Sequence, residues 1–201
     1  SGNKRYYGYF SPDYFYSYSS NAFRYAYKKV AFNGGTSSWD VENLSGAAST
    51  LTGANIVSQG LWDGNWLNWL CMRRIDVLRK VLFGGDTHNG RDGSGNQMVY
   101  GEYNSDRYWY KSFNSTSCVV SPYLGNYSYR VRYDYITVSG VNYYIRVEKQ
   151  IAREPSDFFN YGNGDNLAGV LQKIGDQNVR WGNMWFRTGT GTGQNGGYVD
   201  R

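Results

Sequence analysis

One histidine, two cysteines and three prolines are all that a chain of 201 residues holds of these types, and only 18 % of its positions are charged. The lone histidine, His88, lies in a glycine-rich stretch with no serine, cysteine or carboxylate at motif spacing. A histidine-based triad therefore has little support, and His88 reads as a solvated loop residue. Cys71 and Cys118 stand 47 positions apart and form no C-x-x-C pair of the kind that holds a metal. In an exported chain they are the one candidate disulfide, and in a reducing compartment they are two buried thiols. No apolar run of about 18 residues occurs, so no helical membrane span is expected. The 26 glycines follow no three-residue period, which excludes collagen. The opening Ser1-Gly2-Asn3-Lys4-Arg5 has no apolar stretch behind it, so any export signal is expected to have been removed or to lie outside this segment.

What the chain has in excess is aromatic: 21 Tyr, 7 Trp and 9 Phe. That excludes a disordered tail, and the length suffices for one sizeable domain or two small ones with a real core. Tyrosine combined with Ser, Gly and Asn at low charge is the composition of recognition surfaces, where Tyr gives stiff amphipathic contact area and the small residues give adaptable hydrogen bonds. Composition thus leans extracellular. The net charge is +5, but the basic residues come in scattered pairs (Lys28-Lys29, Arg73-Arg74, Arg79-Lys80). A nucleic-acid binder concentrates them on one face or arm, so nucleic acid is not an expected partner.

Along the chain, residues 6–60 form a Tyr-rich and then Gly/Ser-rich segment, irregular and extended at first, with a helical or strand segment near 23–32 and short strands beyond. Residues 61–85 carry the clearest element, a single helix from about Asn65 to Phe83. Trp66, Leu70, Ile75, Leu78, Val81 and Leu82 recur on its buried side, while Arg73, Arg74, Asp76, Arg79 and Lys80 are its polar positions. Asp63 or Asn65 caps its start and Gly84-Gly85 ends it. Residues 84–97 read as a flexible polar loop, and 98–153 as a β-rich insertion. Within it, Tyr127 to Val138 alternates as one strand, and Val141 to Lys149 returns through the two-residue turn Ser139-Gly140. In that register Arg146 faces Tyr133 at cation–π range. Tyr129, Val131, Tyr133, Tyr135 and Tyr144 lie on an outer, binding face, and Ile136, Val138, Val141, Tyr143, Ile145 and Val147 on a core face. Residues 165–199 hold a helix from Asn166 to Ile174, a strand over 179–186 and a Gly/Thr loop.

Chemistry-bearing motifs are few. Gly189, Gly191 and Gly193 lack the spacing and the following helix of a dinucleotide loop. Asp92-Gly93-Ser94-Gly95-Asn96 resembles a metal-binding Asp-x-Ser-x-Ser run, but polar residues precede it where that motif needs a buried strand. Asp157, Asn160, Asn163 and Asp165 are oxygen donors able to hold Ca²⁺, though at no EF-hand spacing, and a solvated capping loop is the simpler reading. The sequons at Asn43, Asn114 and Asn126 are expected by chance in so Asn- and Ser-rich a chain.

The run Gly64-Asn65-Trp66-Leu67-Asn68-Trp69-Leu70-Cys71-Met72-Arg73-Arg74-Ile75-Asp76-Val77-Leu78-Arg79-Lys80-Val81-Leu82-Phe83-Gly84-Gly85 closely resembles a long signature of the PilY-type type IV pilus assembly and tip-adhesin proteins. Tyr7-Gly8-Tyr9-Phe10-Ser11-Pro12, and Gly169-Val170-Leu171-Gln172-Lys173-Ile174 with Arg180-Trp181-Gly182, agree with further pieces in the same order. The resemblance implies an α+β, α/β sandwich-like fold in which antiparallel hairpins pack with two or three helices. It also implies that residues 1–201, a single domain or fragment, are part of or inserted in a von Willebrand A-like domain. The family's metal-dependent adhesion motif and its Ca²⁺-binding propeller are not expected in this segment, so no cofactor is assigned.

The function expected is a non-enzymatic adhesion and assembly module of a pilus tip, exported through the periplasm to the cell surface. Its expected partners are minor pilins or other tip proteins, and a host-surface or glycan ligand met by Tyr129, Tyr133, Tyr135, Tyr144 and Arg146. The alternatives are a secreted carbohydrate hydrolase using a carboxylate pair, among acids such as Glu102, Asp106, Asp134 and Glu148, or a filament subunit without ligand.

Overall fold

A computed structural model describes residues 4–153, 159–161, 166–175, 183–187 and 196–200. The fold is α+β, as the motifs imply. Its first part is a hairpin of β1 (Tyr14–Ser19) and β2 (Ala22–Asn33), extended by β3 (Ser38–Asn43) and β4 (Ala48–Leu51), followed by α1 (Gly53–Ser58), β5 (Trp62–Asp63), α2 (Gly64–Cys71) and α3 (Arg74–Phe83). Then come β6 (Asn96–Tyr100), β7 (Tyr108–Asn114), β8 (Asn126–Arg132), β9 (Tyr135–Val138), β10 (Val141–Tyr144) and β11 (Arg146–Gln150). The remaining described elements are β12 (Phe159–Tyr161), β13 (Asn166–Ala168), α4 (Val170–Gly175), β14 (Asn183–Arg187) and β15 (Gly196–Asp200).

Two sheets dominate. The larger runs β4-β3-β2-β1-β5, and β11 joins it beside the start of β2, parallel to it at Val147 and Phe23, with β6 antiparallel on its far side. The smaller is the meander β10-β9-β8-β7. Helix α2 lies between them, and one aromatic core joins all three. Phe10 meets Phe23, Phe23 meets Trp62, Trp62 meets Trp66, and Trp66 reaches Phe113 and Tyr129 of the small sheet, with ring centroids 4.8–6.2 Å apart. Edge-on and tilted pairs of this kind add about 0.5–1.5 kcal/mol each beyond the area they bury. A second core of Phe15, Val41, Leu51, Ile56 and Leu61 holds β1, β3 and β4 to α1.

The N-terminal tyrosine cluster is mostly packed rather than displayed, with Tyr7 exposed and Tyr6, Tyr14, Tyr18 and Tyr27 half-buried. Tyr9, Phe10, Tyr16 and Tyr25 are buried, and two side-chain amides on α2 hold the extended segment before β1. Asn65 accepts from the Tyr6 N–H (2.7 Å) and donates to the Lys4 carbonyl (2.9 Å). Asn68, one turn on, accepts from the Phe10 N–H (3.0 Å) and donates to the carbonyls of Tyr6 (2.9 Å) and Phe10 (2.8 Å). An amide carries donor and acceptor together, so it can satisfy backbone that has no neighbouring strand. Gly8 is required by this approach, because a Cβ there would come within 2.2 Å of the Asn68 amide oxygen. The two sequence pieces Tyr7–Pro12 and Gly64–Asn68 are thus halves of one contact.

Asp63 caps α2 by accepting from the Trp66 N–H (3.0 Å) and forms a buried ion pair with Lys29. Lys29 also donates to the Pro12 carbonyl (3.0 Å) and sits over the rings of Phe15 and Trp39.

Several expectations need correction. The single helix over 65–83 is two. Met72 and Arg73 are extended, and the Asp76 carboxylate accepts from the Arg73 N–H (2.8 Å) and grips its guanidinium. Hydrophobic period carries no sign of this break, because the carboxylate three residues on restarts the helix. The re-aimed α3 buries Asp76 and Lys80 and leaves Ile75 (43 %), Leu78 (50 %) and Val81 (38 %) exposed, the reverse of the expected stripe. Gly84 does end it in the left-handed conformation, with φ +87°. Four helices are present among the described residues rather than two or three, and the helix expected from Asn166 is β13 followed by α4. Of the strand expected over 179–186, residues 183–186 lie in β14 and 179–182 fall outside the described residues, and β15 pairs with β14 from the end of the expected Gly/Thr loop onward.

Replacing Asn68 with Ala strands two backbone groups of Phe10 and one of Tyr6 in or near the core. We expect a loss of about 3 kcal/mol in urea unfolding, against about 1 kcal/mol for Asn65→Ala, whose surroundings are wetter. A loss below about 0.5 kcal/mol for Asn68→Ala would show that the contact does not hold the fold.

Candidate functional site: the outer face of the four-stranded sheet

The strand expected over 127–138 is a hairpin. It folds back at Tyr133-Asp134, where Tyr133 takes a left-handed backbone, φ +55°, and β8 pairs with β9 so that Val131 faces Ile136 and Arg132 faces Tyr135. A two-residue turn exchanges odd for even: residues on the odd side of β8 continue on the even side of β9. Tyr129, Val131, Ile136 and Val138 therefore share the inner face, all fully buried. The next turn, Ser139-Gly140, is the expected one, and Val141 pairs with Val138 and Tyr144 with Tyr135 as read from sequence. Beyond Ile145 the chain crosses to the large sheet, where Arg146 pairs with Tyr100 and not with Tyr133.

Of the five expected binding residues, Tyr129 is thus corrected to a core residue. It is 0 % exposed, its hydroxyl hydrogen-bonds that of Ser121 (2.9 Å), and burial pushes its phenol pKa up. Tyr133, Tyr135 and Tyr144 do gather on the outer side. Tyr135 contacts both Tyr133 (5.4 Å) and Tyr144 (5.8 Å). Arg146 lies over Tyr144 (4.4 Å) and Tyr100 (5.5 Å), with the Asp134 carboxylate 3.9 Å away.

Register adds residues that sequence reasoning missed. Tyr108 of β7 faces Arg132, which faces Tyr135, which faces Tyr144, so one row crosses all four strands. The row beside it is Tyr110, Arg130, Thr137 and Asn142. Tyr108 and Tyr110 are 57 % and 58 % exposed, and Tyr103 leans on Tyr133 from the preceding loop (5.3 Å). Arg132 lies over Tyr133 (4.7 Å) and Tyr108 (5.7 Å) and donates to the Ser105 carbonyl (3.2 Å). The alternation Tyr108-Trp109-Tyr110-Lys111 was a usable signal for β7, since Trp109 turns inward and donates to the Leu70 carbonyl (2.9 Å).

The other candidate residues are not brought together. Cys71 and Cys118 are both free thiols. Cys71 is buried, donates to the Leu67 carbonyl (3.0 Å), and burial pushes its pKa up; Cys118 is exposed. Asp157, Asn163 and Asp165 lie outside the described residues, as do the side chain of Asn160 and the Gly189, Gly191 and Gly193 run. Among the described residues no group of three His, Cys, Asp or Glu could hold a metal ion, and no helix is long and apolar enough to cross a membrane.

The acids considered for hydrolysis are engaged separately: Glu102 with Arg79, Glu148 with Arg24 (3.1 Å), Asp134 near Arg146, and Asp106 with the Ser105 hydroxyl (2.9 Å). The narrow cleft lined by Tyr9, Asp76 and Glu102 holds about 10 Å³, room for a single water, whereas the open cleft bordered by Tyr7, Asp13, Lys29 and Lys80 spans about 560 Å³.

An α+β module with one tyrosine- and arginine-covered sheet face is thus what the geometry defines. The family model described as the PilY1 homolog small alpha/beta domain matches residues 1–154, and the chain belongs to that family. This makes it a type IV pilus-associated domain. No curated protein and no solved structure matches it.

Two outcomes check this assignment of faces. Tyr129→Ala should cost about 3–5 kcal/mol of stability, a core truncation, whereas Tyr108→Ala should cost under about 1 kcal/mol in the same denaturation assay. A thiol reagent applied to the folded chain should modify Cys118 and spare Cys71 until denaturant is added, read by mass spectrometry.

Proposed function

We propose that the chain is a non-enzymatic binding and assembly module of a type IV pilus tip, set in a von Willebrand A-like domain, and that the outer face of the four-stranded sheet is its contact surface. The observation that carries this reading is the row Tyr108–Arg132–Tyr135–Tyr144 across all four strands. A sheet face turned to solvent is ordinarily polar. Here rings that lose little freedom on contact are set in register around a guanidinium, which is the make-up of a recognition surface. The separate partners of the acids considered for hydrolysis, Glu102 with Arg79, Glu148 with Arg24, Asp134 near Arg146 and Asp106 with Ser105, favour binding over hydrolysis. The module acts outside the cell after export through the periplasm. Minor pilins or other tip proteins hold it in place, and the ringed face is left for a host surface or a glycan. No cofactor is invoked.

The test is made in cells that display the protein on their pili. Tyr108→Ser with Tyr135→Ser should leave pilus number, counted by electron microscopy, as in the parent while surface attachment falls several-fold. Attachment at the parental level would remove this face as the contact surface.

A further inference from the structure

We propose that the outer face binds an acidic polysaccharide, a polymer of uronate-type sugars whose carboxylates meet Arg130 and Arg132 while its rings and hydroxyls lie along the tyrosines. The inference rests on the reading of this face as the contact surface and adds the chemistry of the ligand.

Charge is the first argument. Arg130 and Arg132 stand side by side in β8, an inner strand of the face, and neither has a carboxylate partner among the described residues; their Nε atoms are buried without a hydrogen-bond partner. Arg107 precedes β7 and Arg146 flanks Tyr144, while the acids nearby are Asp134, already close to Arg146, and Asp106, beside Ser105. The face therefore carries uncompensated positive charge at fixed positions, complementary to a chain of regularly spaced anions. All four cations are arginines. A guanidinium meets a carboxylate through two parallel N–H bonds, and stacking on Tyr133 and Tyr108 orders the Arg132 plane before anything binds. Less freedom is then lost on contact.

Ring geometry is the second argument. The Tyr108 and Tyr110 rings meet at 87°, Tyr135 and Tyr144 at 78°, and Tyr133 and Tyr135 at 43°. Such an array offers separate ring faces and phenol edges at several orientations, which suits a hydroxyl-rich polymer. A run of nucleic-acid bases stacks on aromatic platforms one after another, and these crossed rings provide no such series. The third argument is extent. Four adjacent strands at the usual spacing of nearly 5 Å make a row about 14 Å long, and two such rows lie side by side. That is a surface for several linked sugars rather than one.

The experiment uses the whole 201-residue chain on surfaces coated with polygalacturonate, with neutral dextran and with single-stranded DNA, each at low and moderate salt. Polygalacturonate should be retained best and lose affinity as salt rises. Arg130→Gln with Arg132→Gln should weaken it by about tenfold or more, and Tyr108→Ala with Tyr110→Ala several-fold, both with unchanged melting temperature and near-ultraviolet circular dichroism. Equal retention on dextran, tighter retention on DNA, or undiminished binding by the double Arg variant would overturn the acidic-polysaccharide assignment. If polygalacturonate is not bound but cells with Tyr108→Ser and Tyr135→Ser still lose attachment, the ligand class falls and the contact surface stands. If that attachment is also unaffected, both fall.

Discussion

The three hydrogen bonds of the Asn68 carboxamide are the constraint on which the rest of this fold is built. They dock an extended segment with no strand partner along one side of α2, and in doing so fix how that helix is rotated. With Asn65 and Asn68 turned toward the segment, Trp66 faces the opposite sheet and meets Tyr129 and Phe113. The helix thereby becomes the hinge-pin of a sandwich whose two sheets share one aromatic core. Side-chain amides suit this position because any apolar residue there would leave backbone groups buried and unpaired, at about 1–3 kcal/mol each.

The displayed face follows from a local choice made far along the chain. Tyr133 accepts a left-handed backbone, at roughly 1–2 kcal/mol for a residue with a Cβ, and β8 folds back immediately after Arg132. Had the strand run straight to Val138, the buried Tyr129 would have shared a side with Tyr133 and Tyr135, and the arginines would have shared a side with Ile136 and Val138. The fold-back resolves both conflicts together. Apolar residues of three strands converge on the core, and Arg130, Arg132 and the remaining tyrosines converge outside.

Helix α3 illustrates the same principle with the opposite result for its apolar residues. Its direction is set by Asp76, which holds Arg73 and is itself 4 % exposed. Once that polar group is placed inside, helical periodicity obliges Ile75 and Leu78 to face out. Hydrophobic spacing identified the helical residues correctly and misassigned their buried side, because an amphipathic pattern assumes that the apolar stripe chooses the orientation. Here a buried carboxylate with a half-buried arginine partner chose it.

Much was legible in the chain alone. The long motif identified the family, Asp63 and Gly84 marked helix ends by their capping chemistry, and the Ser139-Gly140 turn gave the β9–β10 register residue for residue. These are features that local geometry decides within a few positions. Of the candidate site, alternation placed Tyr133, Tyr135 and Tyr144 on the outer side, whereas Arg146 was set opposite Tyr133 and pairs instead with Tyr100 of the large sheet, Tyr129 was assigned to the wrong side, and Tyr108, Tyr110 and the outward Arg130 and Arg132 were missed. Those assignments depend on where a strand reverses and on which strand comes to lie beside it, and a period of two reads the same before and after a reversal. The tyrosine excess was set by sequence; which tyrosines are buried and which are displayed was decided only when α2 and the two sheets closed on a common core.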